Sequence, residues 1–412
     1  MDKIGGTIVT VDIGTSSITI IISKVNKFNK IEVVHVDNKS IEQLKNGEIE
    51  EPYKIADVIK NMFKEIEEKT GITVKSAYLN LPNQHVVIEE TTAQIGIDTK
   101  FKTVQEYDID KLFNNIKNAQ THNHLKVVDI FPLEYYDDKD EILQSPFHAN
   151  TTKLTLKAQV VLAKTPYLEK VEAIMQYSKI KIDGFILQSY SNAKLVLNPT
   201  QMEQGTLLID VGGSTTDISV YYKNRLIYID SLDVGGYNVT SDLSIVLDTS
   251  IEEAEKLKKQ YALCMRQYIE NNIDVNIIDS TKQMQTIKTS NVVEIIQARC
   301  EETLEIINER LEQIDIKDYI NEVVLIGQGF NSLNKIENLV KYKLDKKVLI
   351  FDFKQANIIK PVHTTAYSMQ EYVLYNNKNI NNQLSVVEES QEVRKPEVFS
   401  KIFERLKDFL YT

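Results

Sequence analysis

Two stretches of the chain set a carboxylate at the end of an apolar run and follow it with glycine and hydroxyls. In the first, Val9, Thr10, Val11, Asp12, Ile13, Gly14, Thr15, Ser16 and Ser17 lead into Ile18 and Ile20. In the second, about two hundred residues later, Leu207, Leu208, Ile209, Asp210, Val211, Gly212, Gly213, Ser214, Thr215, Thr216 and Asp217 lead into Ile218 and Val220. An apolar run that turns at glycine and resumes as an apolar alternation predicts a β-hairpin. Lacking Cβ atoms, Gly14, Gly212 and Gly213 let main-chain N–H groups approach an oxyanion, and Thr15, Ser16, Ser214 and Thr215 add donors, which makes each turn a phosphate cradle. Asp12 and Asp210 suit a Mg²⁺ held through water, because that ion keeps most of its aqua ligands and takes one or two carboxylates. A single Asp-x-Gly-Gly is most often an ordinary tight turn. Two copies imply two halves facing one nucleotide.

The elements needed to position these turns follow in order. A third strand at Ile31 to Val36 and a turn at Asn46-Gly47 precede a helix opened by Pro52, with Ile55, Ile59, Met62, Phe63 and Ile66 at helical spacing and Gly71 as its stop. A strand at Ser76 to Leu81 closes the unit. Residues 84–164 change texture to short alternating runs and one helical pattern, which predicts a small α+β insertion. The second hairpin is followed by Gly235-Gly236, expected to bring backbone near a ligand, and by Thr240 or Ser241 as helix caps. Glu255 and Lys258 lie three apart on the next helix. A third strand-to-glycine turn reads Val323 to Ile326, Gly327, Gln328, Gly329 and Phe330, where Gln328 and Phe330 would crowd a ligand or add a stacking surface. Seven of the fourteen glycines (14, 212, 213, 235, 236, 327, 329) fall in these turns, a clustering that chance does not explain in a glycine-poor chain.

Composition excludes several classes. The 412 residues, 42% apolar and 26% charged, suit a soluble globular chain of two or three domain-sized cores. A net charge of −11 disfavours nucleic acid, whose affinity comes from neutralised phosphates. Cys264 and Cys300, the only cysteines, suggest neither a disulfide framework nor a thiolate metal site. No signal-peptide pattern and no 18-residue apolar run is present.

The paired hairpins and the third glycine turn resemble the actin, Hsp70 and sugar-kinase ATPase superfamily. That resemblance implies an α/β actin-like fold with two related halves around a nucleotide cleft, and ATP with Mg²⁺ as ligands. It puts phosphates on Gly14, Thr15, Ser16, Gly212, Gly213, Ser214 and Thr215, with adenosine near Glu255, Lys258, Gly327, Gln328 and Gly329 and backbone close to the ligand at Gly235 and Gly236. Within the superfamily, the position of the insertion and its stretch Lys126 to Tyr135 resemble FtsA, the bacterial family that tethers the FtsZ division ring to membrane. The family layout implies a first half at 1–84, 165–198 and about 364–375, the insertion at 85–164, a second half at 199–240 and about 300–363, and a subdomain at 241–299. Val293 to Arg299 resembles the helix that borders the site for the FtsZ C-terminal peptide, with Arg299 as the residue expected to meet it. One departure is Thr19, which stands where some relatives have lysine.

Residues 376–395 are polar and read as a disordered linker. Beyond them Val398, Phe399, Ile402, Phe403, Leu406, Phe409 and Leu410 recur at helical spacing. Residues 394–412 hold five basic and three acidic side chains, a net +2 that leaves −13 for the rest of the chain. A basic, phenylalanine-rich helix at 396–412 on a tether reads as an interfacial anchor rather than a docked helix, and FtsA ends this way. The expectation is an ATP-binding, filament-forming division protein, peripheral on the cytoplasmic face of the membrane at the division site, with FtsZ, itself and lipid as partners. Any ATPase is slow, since no general base stands out. The alternative is a catalytic member of the superfamily, a chaperone ATPase or a small-molecule kinase.

Overall fold

A computed structural model describes residues 6–41, 44–45, 47–98, 103–120, 124–353 and 360–384. The chain opens with a meander of β1 (Thr7–Ile13), β2 (Ser17–Val25) and β3 (Ile31–Ser40), then a short hairpin of β4 (Leu44–Lys45) and β5 (Glu48–Ile49). α1 (Pro52–Thr70) crosses to β6 (Ser76–Leu81), which runs parallel to β1. Proline starts α1 at no cost in hydrogen bonds, and Ile55, Ala56, Ile59, Met62, Phe63 and Ile66 form its buried stripe. Gly71 ends it in the left-handed region, its N–H donating to Glu67 O.

The insertion contains β7 (Val86–Gly96), α2 (Glu106–Ala119), β8 (Leu125–Tyr136), β9 (Ile142–Leu143) and β10 (Lys153–Lys164), with sheet order β7-β10-β8-β9. Period-two alternation explains how β10 serves two cores. Leu154, Leu156, Ala158, Val160 and Leu162 pack with Ile109, Leu112, Phe113 and Ile116 of α2, while Val161 and Ala163 join the core of the first half. The insertion also grips the second half: Gln159 Nε2 donates to Leu226 O at 2.8 Å, and Arg225 pairs with Glu134 at 2.6 Å.

After α3 (Thr165–Tyr177), β11 (Lys181–Leu187) and α4 (Gln188–Val196), α5 (Pro199–Gln204) leads into the second half. That half holds β12 (Thr206–Val211), β13 (Thr216–Tyr222), β14 (Arg225–Leu232), α6 (Gly236–Val246), α7 (Ile251–Gln260), the hairpin β15 (Asp274–Ile278) and β16 (Met284–Lys288), α8 (Thr289–Gln313), β17 (Glu322–Ile326), α9 (Gln328–Asn331), α10 (Ile336–Leu344) and β18 (Lys347–Ile350). α11 (Thr364–Leu384) returns to the first half, where buried Gln370 donates to Ile8 O, Thr10 Oγ1 and Ile21 O.

The sheets repeat one plan. The first is ordered β3-β2-β1-β6-β11 and the second β14-β13-β12-β17-β18, each an antiparallel meander extended by two parallel strands. One apolar cluster runs from β12 and β17 through α6 and α8 to Val275 and Ile277, so the 241–299 segment shares a core with its half.

Two expectations change. α11 continues to Leu384, nine residues into the segment read as a linker. Residues 376–384 contain no proline or glycine, so nothing stops a helix already nucleated by its packed turns. Thr240 and Ser241 are interior to α6; the helix starts at Gly236, where Gly235 N–H donates to Asn238 Oδ1. The anchor residues Phe399, Ile402, Phe403, Leu406, Phe409 and Leu410 lie outside the described residues.

Candidate functional site

The two hairpins share their register. In the first, Asp12 pairs with Thr19 and Ile13 with Ile18; in the second, Asp210 pairs with Asp217 and Val211 with Thr216. Gly14 N–H donates to Ser17 O at 3.0 Å, and Gly212 N–H to Thr215 O at 2.8 Å. The turns meet tip to tip across a cleft of about 950 Å³, where Ser214 N–H donates to Thr15 Oγ1 at 3.1 Å.

Glycine is required where backbones close on one another. A Cβ on Gly235 would stand 2.7 Å from Gly213 O, and one on Gly236 would stand 2.7 Å from Gly329 Cα. Gly327 takes φ +86, and its Cβ would lie 2.3 Å from Val211 O and 2.5 Å from Asp210 Oδ1. Gly71 also has positive φ but open space around it. Gly71→Ala is therefore expected to cost about 1 kcal/mol for its backbone alone, and Gly327→Ala at least about 2 kcal/mol more as the turn is forced off Val211. Equal losses for the two variants in urea unfolding would contradict the close-packed turn.

The cleft gathers most of the expected residues. Asp12, Gly14, Thr15, Ser16, Asp210, Gly212, Gly213, Thr215, Gly236, Glu255, Lys258, Gly327, Gln328 and Gly329 all line it. Gly235 supports the hairpin from behind, and Ser214 turns its N–H to the opposite tip. Phe330, expected to crowd or stack on a ligand, is 1% exposed and belongs to the second core. The helical turn after Gly327 sends it inward and leaves Gln328 at the surface of the cleft. Thr19 is buried at the register position that Asp217 occupies in the other hairpin, and accepts from Asn38 Nδ2 at 2.8 Å.

At the floor of the cleft three carboxylates converge. Burial raises all three: Asp12 to about 7, with Asp210 and Asp217 adding repulsion, Asp217 to about 7, and Asp210 to about 6 against hydrogen bonds that favour its ionised form. Gln188 Nε2 donates to both Asp210 Oδ2 and Asp217 Oδ2 at 3.1 Å, and Asn192 Nδ2 donates to Asp210 Oδ2 at 2.9 Å. Asn192 is in turn fixed by Ser368 of α11, whose hydroxyl donates to Asn192 Oδ1 at 2.7 Å. The neighbouring Ser231 hydroxyl favours the ionised form of Asp217, against the larger effect of burial. Buried carboxylates of this kind are stable in ionised form only beside a cation, so the donor set fits a hard divalent ion. Among the described residues no group of three or more His, Cys, Asp or Glu has the geometry to hold a metal ion.

Asp217, Gln188 and Asn192 escaped the sequence reading. Asp217 was legible in principle, as the residue seven past Asp210, where Thr19 is seven past Asp12. Gln188 and Asn192 come from α4 of the other half and carry no local signal.

At the cleft wall, Lys258 Nζ bonds Glu255 Oε2 at 2.6 Å, Thr240 Oγ1 at 2.7 Å and Gly236 O at 3.1 Å, tying α7 to the start of α6. Arg299 lies outside the cleft, on α8. It pairs bidentately with Asp242, at 2.5 and 3.0 Å, and with Glu302 at 2.5 Å. A groove of about 540 Å³ lies near it, lined by Val246, Leu247, Ile287, Ile295 and Ala298 with Asp274, Lys288 and Glu294 among its polar residues.

Duplicated sheets with paired hairpins at a shared cleft define the actin-like ATPase fold. Solved structures agree: a PilM-PilN type IV pilus biogenesis complex covers 88% of this chain and 96% of its own at TM-score 0.58 and 13% identity. MreB5 of Spiroplasma citri, solved bound to ADP, covers 90% and 98% at TM-score 0.51 and 14% identity. Within that class the chain is similar to the FtsA cell-division proteins. It is 25% identical to FtsA of Bacillus subtilis over 370 residues, 89% of this chain and 83% of that protein, and 24% identical to FtsA of Streptococcus pneumoniae over 362 residues, 88% and 79%. The family model described as "Cell division protein FtsA" matches residues 207–368.

Proposed function

We propose that this protein binds ATP with Mg²⁺ between its halves, polymerises, and tethers the FtsZ ring to the cytoplasmic membrane through residues 396–412. The observation that carries the nucleotide site is the meeting of two hairpins in identical register over a floor of three buried carboxylates. Phosphates lie between Gly14, Thr15 and Ser16 on one side and Gly212, Gly213, Ser214 and Thr215 on the other. Mg²⁺ sits through water on Asp12 and Asp210, with Asp217 completing the floor. Adenosine lies between Glu255 and Lys258 of α7 and the Gly327-Gln328-Gly329 turn. Calorimetric titration with ATP, with and without Mg²⁺, tests this directly; absence of Mg²⁺-dependent binding removes the site. Phosphate release unchanged by candidate small-molecule or protein substrates separates the adaptor from a kinase or chaperone.

The FtsZ C-terminal peptide is received on the 241–299 subdomain, at the apolar groove beside α8. Support comes from the FtsA relatives and from a groove whose walls mix apolar side chains with Lys288. Arg299 offers a planar fork for a peptide carboxylate, and to do so it must exchange part of its pairing with Asp242 and Glu302. Arg299→Glu sets a third carboxylate beside those two and is expected to lower peptide affinity at least about tenfold. Lys288→Glu, which breaks only an exposed pair with Asp274, is expected to weaken binding several-fold without touching the core. Unchanged affinity in both variants in a peptide titration moves the interface elsewhere.

Assembly is head to tail, with the 85–164 insertion of one subunit meeting its neighbour, because a heterologous contact that does not close gives an open filament. Electron microscopy on anionic vesicles with ATP is expected to show filaments; monomers alone would contradict this.

A further inference from the structure

We propose that the first half makes a second contact with the membrane: the turn between β2 and β3 seats Phe28 in the interface of an anionic lipid surface, and the lysines around it meet the headgroups. This rests on the reading of residues 396–412 as an anchor and adds an orientation of the body to it. The strand register gathers three loops at one end of the first sheet. Thr7 pairs with Lys24, Val25 with Ile31 and Ser76 with Lys181, so residues 26–30, 71–75 and 178–180 all lie at the end opposite the Gly14 turn. Residues 24–32, 67–75 and 178–181 hold seven lysines and three glutamates, a net +4 in a chain whose net charge is −11. Among the described residues Lys24, Lys27, Lys30, Lys75 and Lys179 are exposed and form no ion pair with a carboxylate, whereas Glu32, Glu67 and Glu68 are engaged by Asn26, Thr73 and Lys64.

Asn26 fixes the turn. Its Oδ1 accepts from Phe28 N–H at 2.9 Å and from Lys30 N–H at 3.0 Å, its N–H donates to Lys30 O and its C=O accepts from Asn29 N–H, both at 2.9 Å. Asn29 takes φ +57, a conformation that asparagine tolerates. On this ordered backbone Phe28 stands 71% exposed, with Lys27 Nζ 5.2 Å from its ring centroid. An exposed aromatic ring among cations is the composition that interfacial segments use. The path of α11 names the partner. It runs along this sheet away from the cleft: Thr10 Oγ1 donates to Ala366 O at 2.9 Å, Gln370 Nε2 donates to Ile8 O at 3.2 Å, and Leu374 joins the cluster of Ile8 against which Val25 and Ile31 pack. The chain therefore leaves the first half at its lysine end, and a surface that holds residues 396–412 meets that end first. Charges act on such a surface only within a Debye length, about 8 Å at physiological salt, so this end outweighs the acidic remainder of the body. The turn is weak by itself, and the tether supplies the local concentration it needs.

The chain contains no tryptophan, so Phe28→Trp places a single indole at the contact. In the full chain its emission is expected to move to shorter wavelength on vesicles of phosphatidylglycerol and phosphatidylcholine, and to be quenched by brominated acyl chains. Adding Lys27→Glu and Lys30→Glu is expected to abolish that change and to lower vesicle affinity at least about tenfold at low salt. Lys282→Glu with Lys341→Glu, at exposed positions of the second half, makes the same change in net charge and is expected to alter neither reading. Protein that pellets while the indole emission stays unchanged, or a second-half pair as damaging as the turn pair, overturns the proposal and leaves the tail anchor standing; the lysines then fall to an acidic protein partner. If the chain does not pellet, the tail reading fails, and a hexahistidine tag after Thr412 with nickel-chelating lipid holds the same chain at the vesicle. There an emission shift that requires anionic lipid supports the contact, and its absence overturns it.

Discussion

Asp210→Asn is expected to abolish the Mg²⁺-dependent part of ATP binding, a loss of roughly 10- to 100-fold, or about 1.4 to 2.8 kcal/mol. Asparagine keeps the shape and can still accept from Gln188 and Asn192, so the fold and the hydrogen bonds of α4 survive while one of three floor charges is gone. Asp210→Ala should show the same loss. Equal calorimetric affinity in wild type and variant would remove the metal assignment. The same carboxylates give the site a pH dependence of definite sign. Asp12, Asp210 and Asp217 titrate higher in the folded cation-free protein than in the unfolded chain, at about 7, 6 and 7. Between the ordinary carboxylate range and those values the folded state binds more protons, so their contribution to stability is full below about pH 4 and is lost as pH rises through 6 to 7. Mg²⁺ competes with those protons, so affinity for Mg²⁺-ATP is expected to rise from pH 6 to 8, and Asp210→Asn should flatten the rise.

Deleting residues 396–412 is expected to abolish pelleting with anionic vesicles while leaving nucleotide and peptide binding unchanged. Seven large apolar side chains at about 1.5 to 3 kcal/mol each for full burial set an upper limit of roughly 10 to 20 kcal/mol. Interfacial insertion buries them only in part and must order the helix, which leaves one copy weakly held. Basic residues add about 1 kcal/mol each near an anionic surface, opposed by repulsion of an acidic body. In the proposed filament many such tails would act together, each bound one raising the local concentration of the next. Phe403→Glu, which sets a charge in the apolar stripe, should come close to the deletion. Undiminished pelleting of the truncated protein would contradict the anchor.

The parts of the site carried by local chemistry were legible. Asp12, Asp210 and the glycine turns announce themselves because a hairpin is specified within a dozen residues, and α1 because its stripe, Pro52 and Gly71 all agree. What depends on packing between distant segments was not. Gln188 and Asn192 reach Asp210 from α4, a helix some twenty residues earlier in the chain whose side chains bond to the second hairpin. Phe330 looked like a cleft residue from its place beside Gly329, yet one helical turn is enough to bury it. Thr240 has the composition of a cap, but Gly236 starts the helix earlier, and the hydroxyl serves the Glu255 and Lys258 pair instead. The extension of α11 to Leu384 shows the same limit, since polar composition alone does not end a helix that tertiary contacts have begun.

The most direct test is a structure of the full chain with a non-hydrolysable ATP analogue and Mg²⁺. Phosphates are expected between Gly14, Thr15 and Ser16 on one side and Gly212, Gly213, Ser214 and Thr215 on the other, with a hydrated Mg²⁺ facing Asp12 and Asp210. A nucleotide bound elsewhere, or a cleft in which Asp12, Asp210 and Asp217 stay without a cation at saturating Mg²⁺ and analogue, would contradict this placement.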